Sequence, residues 1–168
     1  MIFHFSDEDG FVALVNAETY EGFVHADWEL DQLLHHFVAQ MNVQNLVIWA
    51  SNEDGGGEWK IAVLEQPSAK KAFREFSAAV RVTDDCLYLV SYTDLTMAAQ
   101  FEDEVLPAEP NSELRIPLAN GLYQFTVRQM FNPGDYNYEE MMTHFEIVFS
   151  LEAGPASKVV DSVFWWVE

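Results

Sequence analysis

The chain has 168 residues, of which 49% are hydrophobic and 14% aromatic, and its 28 acidic and 8 basic side chains give a formal net charge of −20. The hydrophobic content excludes general disorder, and the length suits a single domain over residues 1–168. Because a strongly negative surface repels phosphates and anionic lipids, the charge disfavours direct binding of nucleic acid or of a membrane.

The N-terminal region predicts a hairpin followed by a helix. Residues 2–5 and 11–15 have the composition of strands and flank a turn-like acidic segment at residues 7–10. Apolar side chains then recur at helical spacing, and Asp27 can cap the free backbone N–H groups of the first turn. The sequence therefore predicts one amphipathic helix near residues 27–41.

Two apolar runs joined by glycines come next. Residues 45–50 have the composition of a short buried strand, and residues 59–64 have that of a returning strand with partial alternation of apolar and polar residues. The acidic and glycine-rich residues 53–57 between them favour a flexible reversal of the chain, which predicts a second hairpin with a solvated tip.

The middle of the chain predicts a strand between an acidic turn and a helix. Asp84 and Asp85 are typical of a tight turn, and residues 86–92 form an apolar run. A short helix is predicted at residues 94–101, and the prolines within residues 102–112 predict a loop.

A further pair of strands is predicted at residues 114–118 and 122–128, joined as a hairpin by the glycine-containing segment 119–121. Pro117 has no backbone N–H to donate, which favours an edge or the end of a strand. Tyr123 follows a glycine by two residues, as in the tyrosine corner of β-sandwiches, where the phenol binds backbone upstream.

Residues 144–149 and 159–167 supply the predicted closing strands. Together these elements predict an α+β protein that is mainly β. Its core is expected to be an antiparallel β-sandwich, with the amphipathic helix near residues 27–41 and additional short helices.

Tests for chemical motifs predict no catalytic residue, no cofactor and no metal site. The acidic segment 7–10 begins like a calcium loop, but Phe11 occupies a position that needs an oxygen ligand. His35 and His36 are adjacent, so they cannot share one helix face as metal ligands separated by four residues do. A single cysteine, Cys86, excludes a multi-thiolate zinc site.

The cysteine also bears on location. Cys86 lies in an apolar run, which predicts a buried hydrophobe rather than a nucleophile. A lone cysteine cannot form an internal disulfide, and the N-terminus lacks the basic and apolar segments of a secretory signal. We therefore expect a cytoplasmic protein.

Residues 82–89 have a strand–acidic turn–strand pattern, and residues 114–125 have the pattern of a leucine–glycine–tyrosine hairpin. These two segments resemble the competence protein J family. The resemblance implies a small bacterial, β-rich inhibitor of a DNA-cleaving nuclease. The chain departs from the family in its helix at 27–41, its insertion at 94–112 and its longer C-terminal region.

The leading functional hypothesis is an acidic protein-binding domain, an inhibitor or immunity-type protein that occludes a basic enzyme such as a nuclease or another toxin. Acidic side chains would imitate a phosphate backbone, and aromatic side chains would anchor the interface. The side chains predicted to bind the partner lie mostly in turns: Asp7, Glu8, Asp9, Glu53, Asp54, Glu58, Glu102, Asp103, Glu104, Tyr136 and Tyr138.

Three alternatives remain at this point. A carbohydrate- or small-ligand-binding sandwich would use Tyr136, Tyr138 or Trp59 for stacking. A metal-assisted hydrolase would combine carboxylates with His144 or His35. The acidity could also serve only solubility, and the sequence leaves the oligomeric state open.

Overall fold

Over residues 1–52, 55–135, 143–151 and 158–167, which the computed structural model describes, the chain forms two β-sheets and a layer of helices. In chain order the elements are β1 (Ile2–Asp7), β2 (Phe11–Val15), α1 (Leu30–Asn42), β3 (Leu46–Ala50), β4 (Gly57–Leu64), β5 (Arg74–Val82), β6 (Cys86–Ser91), α2 (Tyr92–Gln100), a 3-10 turn (Glu109–Asn111), β7 (Arg115–Pro117), β8 (Gly121–Gln129) and β9 (Phe145–Leu151). The predicted fold class, α+β and mainly β with a sandwich core, is confirmed.

The strands divide between a five-stranded and a four-stranded sheet. Sheet A has the order β1-β4-β9-β8-β5, and sheet B has the order β3-β2-β6-β7. The named neighbours pair antiparallel except β4 and β9, which run parallel. The sandwich is therefore mainly, but not wholly, antiparallel.

The short turns join the two sheets rather than neighbouring strands. β1 lies in sheet A and β2 in sheet B, and the same crossing separates β3 from β4, β5 from β6, and β7 from β8. The hairpins predicted at residues 2–15, 45–64 and 114–128 are therefore wrong, although their strands are present. Turn residues reverse the chain equally well within a sheet or between two sheets. Long-range pairing decides between the two outcomes.

Sheet B forms the middle layer because its strands are apolar on both faces. Val12 and Leu14 of β2 belong to the core between the sheets, whereas Ala13 and Val15 face the helices. In β3, Trp49 joins the inner core in the same alternating way. The order of layers is sheet A, sheet B, helices.

Each helix connects two neighbouring strands of sheet B. α1 links β2 to β3, and α2 links β6 to β7. The buried faces of the two helices contribute Leu33, Phe37, Leu95 and Ala99 to the outer core, which lies between sheet B and the helices. The helix predicted at residues 94–101 is confirmed with a start at Tyr92.

The predicted first helix is also present, but it begins at Leu30 rather than near residue 27. Its N-cap is Glu29, which forms a reciprocal capping box with Gln32. Asp27 instead lies upstream, where its backbone N–H donates to His25 Nδ1 over 3.0 Å. The periodicity located the helix, and the cap moved because a Glu/Gln box satisfies two backbone N–H groups together.

Three local predictions in the C-terminal half are confirmed. The Tyr123 hydroxyl donates to the Ala119 carbonyl over 2.9 Å, as expected of a tyrosine corner. Pro117 ends β7, which is an edge strand of sheet B. Cys86 is buried.

The prediction of a closing strand at residues 159–167 is wrong, because this segment is not a regular strand. This segment runs along β3 and makes one isolated parallel bridge, between Phe164 and Trp49. Its aromatic rings pack on both cores: the rings of Phe164 and Phe76 stack with centroids 3.8 Å apart, and Trp166 lies 5.1 Å from Phe11. Packing therefore holds this segment in place with little strand pairing.

Within the described part of the chain, no helix is both long enough and apolar enough to cross a membrane.

Candidate functional site

The three layers separate the charges of the protein. Segments 16–45 and 92–114, which contain the two helices and their flanking loops, carry eleven acidic side chains and no lysine or arginine. Ten of those eleven acids are exposed, and the exception is Asp94. Six of the eight cations lie on sheet A or in the connection between β4 and β5. The helical layer is therefore a uniformly negative face.

Two segments that are far apart in the sequence, the loop before α1 and the end of α2, contact each other on this face. The backbone N–H groups of Val24 and His25 both donate to the Ala99 carbonyl, over 2.8 and 3.1 Å. Gly22 permits this approach, because a Cβ at that position would lie 2.9 Å from the Ala98 Cβ. The loop before α1 is thereby fixed along the last turn of α2.

This junction gathers acids that lie far apart in sequence. Glu21 and Asp27 flank the loop residues that bind Ala99, and residues 102–104, all acidic, follow α2 directly. The Glu104 N–H donates to the Phe101 carbonyl over 3.2 Å, which turns the acidic segment back at the end of the helix. Five exposed carboxylates therefore lie within five residues of this backbone contact along their own segments.

The same place exposes large apolar side chains. Phe23 precedes Val24, and Met97 and Phe101 lie one helical turn apart on either side of Ala99. Phe101 is 43% exposed and Val105 is 75% exposed. We call this surface the junction patch. Its apolar residues are Phe23, Met97, Phe101 and Val105, and its acidic rim consists of Glu21, Asp27, Glu102, Asp103 and Glu104.

An apolar centre with a charged rim is the usual organisation of a protein interface. Large apolar side chains supply binding energy when a partner covers them, and rim charges accelerate and orient the encounter. Among the described residues the rim carboxylates have no lysine or arginine partner within salt-bridge distance. Their charge is thus directed to solvent.

Asp7 differs from the exposed acid that the sequence predicted, because it is 3% exposed. Its Oδ2 accepts the Ser51 hydroxyl over 2.7 Å, and its Oδ1 accepts the N–H groups of Asp9 and Gly10. Burial raises the pKa of Asp7, and these hydrogen bonds only partly oppose that effect. Asp7 therefore stabilises the turn between β1 and β2 and is removed from the candidate interface.

The buried position of Asp7 gives a pH-dependent prediction. A raised pKa means that the folded state binds a proton more tightly than the unfolded state does. The free energy of unfolding therefore falls as pH rises through the interval between the ordinary and the folded pKa of Asp7. We expect Asp7→Asn to lose this component, so that its stability relative to wild type increases with pH. Urea unfolding at several pH values between 4 and 7 measures the difference.

Glu8→Gln is the matched control for this prediction. It removes the same charge from the next residue, which is exposed. A flat difference between wild type and Asp7→Asn, or an equal slope for Glu8→Gln, would contradict the assignment.

The remaining predicted acids fall into two groups. Asp9 accepts the Thr93 hydroxyl over 3.2 Å at the start of α2, and Glu58 accepts the Ser6 hydroxyl over 2.7 Å on sheet A. The acids at 102–104 follow the other end of α2, about 13 Å further along the helix axis. The structure therefore places Asp9, in the turn between β1 and β2, and the acids of the junction patch at opposite ends of α2.

Four of the predicted partner-binding residues, Glu53, Asp54, Tyr136 and Tyr138, lie outside the described residues. Trp59, the other aromatic candidate for sugar stacking, is 2% exposed and stacks on Phe131 with ring centroids 5.3 Å apart. It is a core residue and presents no surface for a ligand.

The histidines predicted for a hydrolase have structural roles. His144 is buried. Its ring Nδ1 accepts the backbone N–H of Lys60 over 2.8 Å, and its backbone N–H donates to the Lys60 carbonyl over 2.8 Å. His35 Nδ1 contacts the Asp31 carbonyl over 2.7 Å within α1. Within the described residues, no three histidine, cysteine or carboxylate side chains are grouped so as to hold a metal ion.

Sequence reasoning missed the acids before and within the first turn of α1. Glu18, Glu21, Asp27, Glu29 and Asp31 are all exposed on the helical layer. A usable signal was present: residues 1–59 and 82–114 contain no lysine or arginine. The contact at Ala99, which brings the two segments together, could not be predicted because no local sequence pattern indicates it.

The architecture of the described residues is thus a two-sheet β-sandwich in which an acidic layer of helices covers the second sheet. No family model matches the sequence, and no curated protein sequence matches it. Two solved structures are similar in shape. One, described as crocagin biosynthetic gene J, has a TM-score of 0.57 and 9% identity, and the match covers 90% of this chain and 96% of the other.

The second similar structure is ComJ from Bacillus subtilis, described as an inhibitor of the DNA-degrading activity of NucA. Its TM-score is 0.46 and its identity 10%, and the match covers 89% of this chain and 96% of that one. The distant resemblance to the competence protein J family is confirmed as a resemblance. At these identities the two similarities concern the fold and assign no activity.

Proposed function

We propose that this protein is a binding protein that occludes a basic protein partner through its helical layer, with the junction patch at the centre of the contact. The inhibitor or immunity type of action predicted from the sequence is the form of the proposal that we favour. A nuclease is the target class that the sequence resemblance to the competence protein J family implies.

The observation that carries the proposal is the coincidence of charge and apolar exposure. The helical layer holds ten exposed acids and no lysine or arginine, and four of its six exposed large apolar side chains, Phe23, Met97, Phe101 and Val105, lie within six residues of the contact at Ala99 along their own segments. Acidity that served solubility alone would not need a cation-free face, nor exposed Phe23 and Phe101 within it. Nucleic acids and anionic membranes remain unfavourable partners for such a face.

The test begins with identifying the partner. Basic enzymes encoded beside this gene, and proteins captured from the source cells, supply candidates, which are then purified and assayed for direct binding and for inhibition. We expect a basic partner whose enzymatic activity falls when this protein is added. A purified partner with an acidic or neutral surface at the contact would contradict the proposal.

The association rate then tests the position of the contact. We expect the triple variant Glu102→Gln, Asp103→Asn, Glu104→Gln to associate about tenfold more slowly than wild type at low salt, because it removes part of the steering field. Raising the ionic strength should slow wild-type association and narrow the difference between the two proteins. Stopped-flow or biosensor kinetics at several salt concentrations measure both effects.

A second triple variant separates a local effect from one of net charge. Glu65→Gln, Asp84→Asn, Asp85→Asn also removes three exposed charges, but from loops outside segments 16–45 and 92–114. We expect this variant to associate at close to the wild-type rate. Equal slowing by the two triple variants would reduce the effect to bulk charge and would overturn the proposed surface.

A further inference from the structure

A small cavity lies between α1 and the C-terminal segment, on the same acidic side of the molecule. Its volume is about 140 Å³, and acidic, polar and apolar residues line it. Asp31, Leu34 and His35 line it from α1, and Asp161 and Trp166 line it from the C-terminal segment. For scale, a cavity of roughly 150 Å³ in a protein core accepts benzene. The space therefore suits one planar side-chain group.

Contacts on both sides of the cavity hold its outer wall in position. The Val160 N–H donates to Asn42 Oδ1 over 2.9 Å, and Asn42 Nδ2 donates back to the Val160 carbonyl over 2.8 Å. Further along, the Ala50 N–H donates to the Phe164 carbonyl over 2.9 Å. The segment between these points carries Asp161 and is fixed at both ends, so a ligand would find the cavity already formed.

The polar groups of the cavity favour a donor with positive charge. A carbonyl oxygen only accepts, so His35 Nδ1 must donate to the Asp31 carbonyl, and the neutral ring then offers Nε2 as an acceptor. Asp31 and Asp161 are the two acidic residues among those that line the cavity. Among the described residues, no lysine or arginine lines the cavity. Lys158, three residues before Asp161, lines a different cavity against β5.

We propose that this cavity receives an arginine side chain of the basic partner, so that it is a specificity pocket of the binding face. The aliphatic part of the side chain would lie against Leu34 and the other apolar walls. The guanidinium would meet the indole of Trp166 and pair with Asp31 and Asp161, an environment that suits a planar cation better than an ammonium group. This inference rests on the proposed function for the source of the arginine, but the pocket itself can be tested without a partner.

The test is titration of the full chain with N-acetyl-arginine amide, followed by NMR. We expect the indole N–H signal of Trp166 to shift in a saturable manner. N-acetyl-citrulline amide, which is nearly isosteric but uncharged, should bind at least about fivefold more weakly, as expected for the loss of charge-assisted hydrogen bonds. Equal binding of the citrulline compound, equal binding of N-acetyl-lysine amide, or no shift of the Trp166 signal would each overturn the assignment.

Variants locate the site. We expect Asp31→Asn, Asp161→Asn to weaken arginine-amide binding about fivefold to tenfold. The control Asp84→Asn, Asp135→Asn removes the same charge from exposed positions outside the cavity and should bind like wild type. Equal weakening by both pairs would show a general charge effect and overturn the pocket. Dispersed NMR spectra of both double variants verify that they are folded.

The two proposals fail separately. Loss of the arginine-amide response with intact sensitivity of partner association to the acids at 102–104 would remove the pocket and keep the binding face. A response to arginine amide without any basic partner would keep the pocket and remove the proposed function.

Discussion

Replacing Arg128 with methionine is expected to lower the free energy of unfolding by about 3–5 kcal/mol, because it leaves a buried carboxylate without its partner. Arg128 lies on β8 and is 8% exposed, and Glu146, beside it on β9, is 4% exposed. The Arg128 Nη1 forms an ion pair with Glu146, and Nη2 donates to the Lys70 carbonyl over 2.7 Å. The guanidinium therefore both neutralises Glu146 and ties the connection between β4 and β5 to sheet A.

The second carboxylate of this cluster supplies the control. Arg128 Nε also lies 3.3 Å from Glu75, whose side chain is 58% exposed. We expect Glu75→Gln to cost less than about 1 kcal/mol, since solvent screens exposed ion pairs. The double variant Arg128→Met, Glu146→Leu should recover much of the loss, because it removes both buried charges. Denaturant unfolding of the four proteins measures these differences. A small effect of Arg128→Met alone, or no recovery in the double variant, would contradict this account of the cluster.

The strands and helices could be predicted largely from sequence because their signals are local. Apolar periodicity located α1 to within a few residues, the short helix predicted at 94–101 corresponds to α2, and the Gly-x-Tyr pattern predicted the hydrogen bond of Tyr123. The pairing of strands could not be read in this way. A turn such as Asp84-Asp85 has the same composition whether the next strand lies in the same sheet or in the opposite one.

The candidate site depended on long-range structure to a greater degree. Burial of Asp7 follows from Ser51, which is distant in sequence, and the meeting of residues 24–25 with Ala99 follows from the packing of both helices on sheet B. Composition predicted that acids would matter and placed Glu102, Asp103 and Glu104 among them. It did not reveal the apolar side chains at the centre of the junction patch.

Gly56→Ala is the second substitution for which a large effect is expected. A Cβ at residue 56 would lie 1.7 Å from the Asp7 carbonyl oxygen and 2.6 Å from the Glu8 carbonyl carbon. Both atoms are backbone, so the start of β4 and the turn after β1 would have to separate. We expect a loss of at least about 3 kcal/mol in the free energy of unfolding, at or above the top of the usual range for overpacking.

Two other glycines, Gly55 and Gly134, act as controls. Gly55 has open space around its Cβ position but a φ of +103°, so Gly55→Ala should cost only about 1–2 kcal/mol through backbone strain. Gly134 has neither restriction, and Gly134→Ala should stay within about 0.5 kcal/mol of wild type. Thermal or denaturant unfolding ranks the three, and a Gly56→Ala variant as stable as Gly134→Ala would refute the close approach of β1 and β4 at this turn.

The same substitution distinguishes the two acidic surfaces. The turn acids Glu8 and Asp9 depend on the backbone that Gly56 approaches, whereas the junction patch depends on the contact of Val24 and His25 with Ala99. If Gly56→Ala remains folded at low temperature, its partner should bind with nearly unchanged affinity when the junction patch is the main contact. A large loss of affinity in a folded Gly56→Ala variant, with binding retained after neutralising residues 102–104, would instead assign the interface to the turn between β1 and β2.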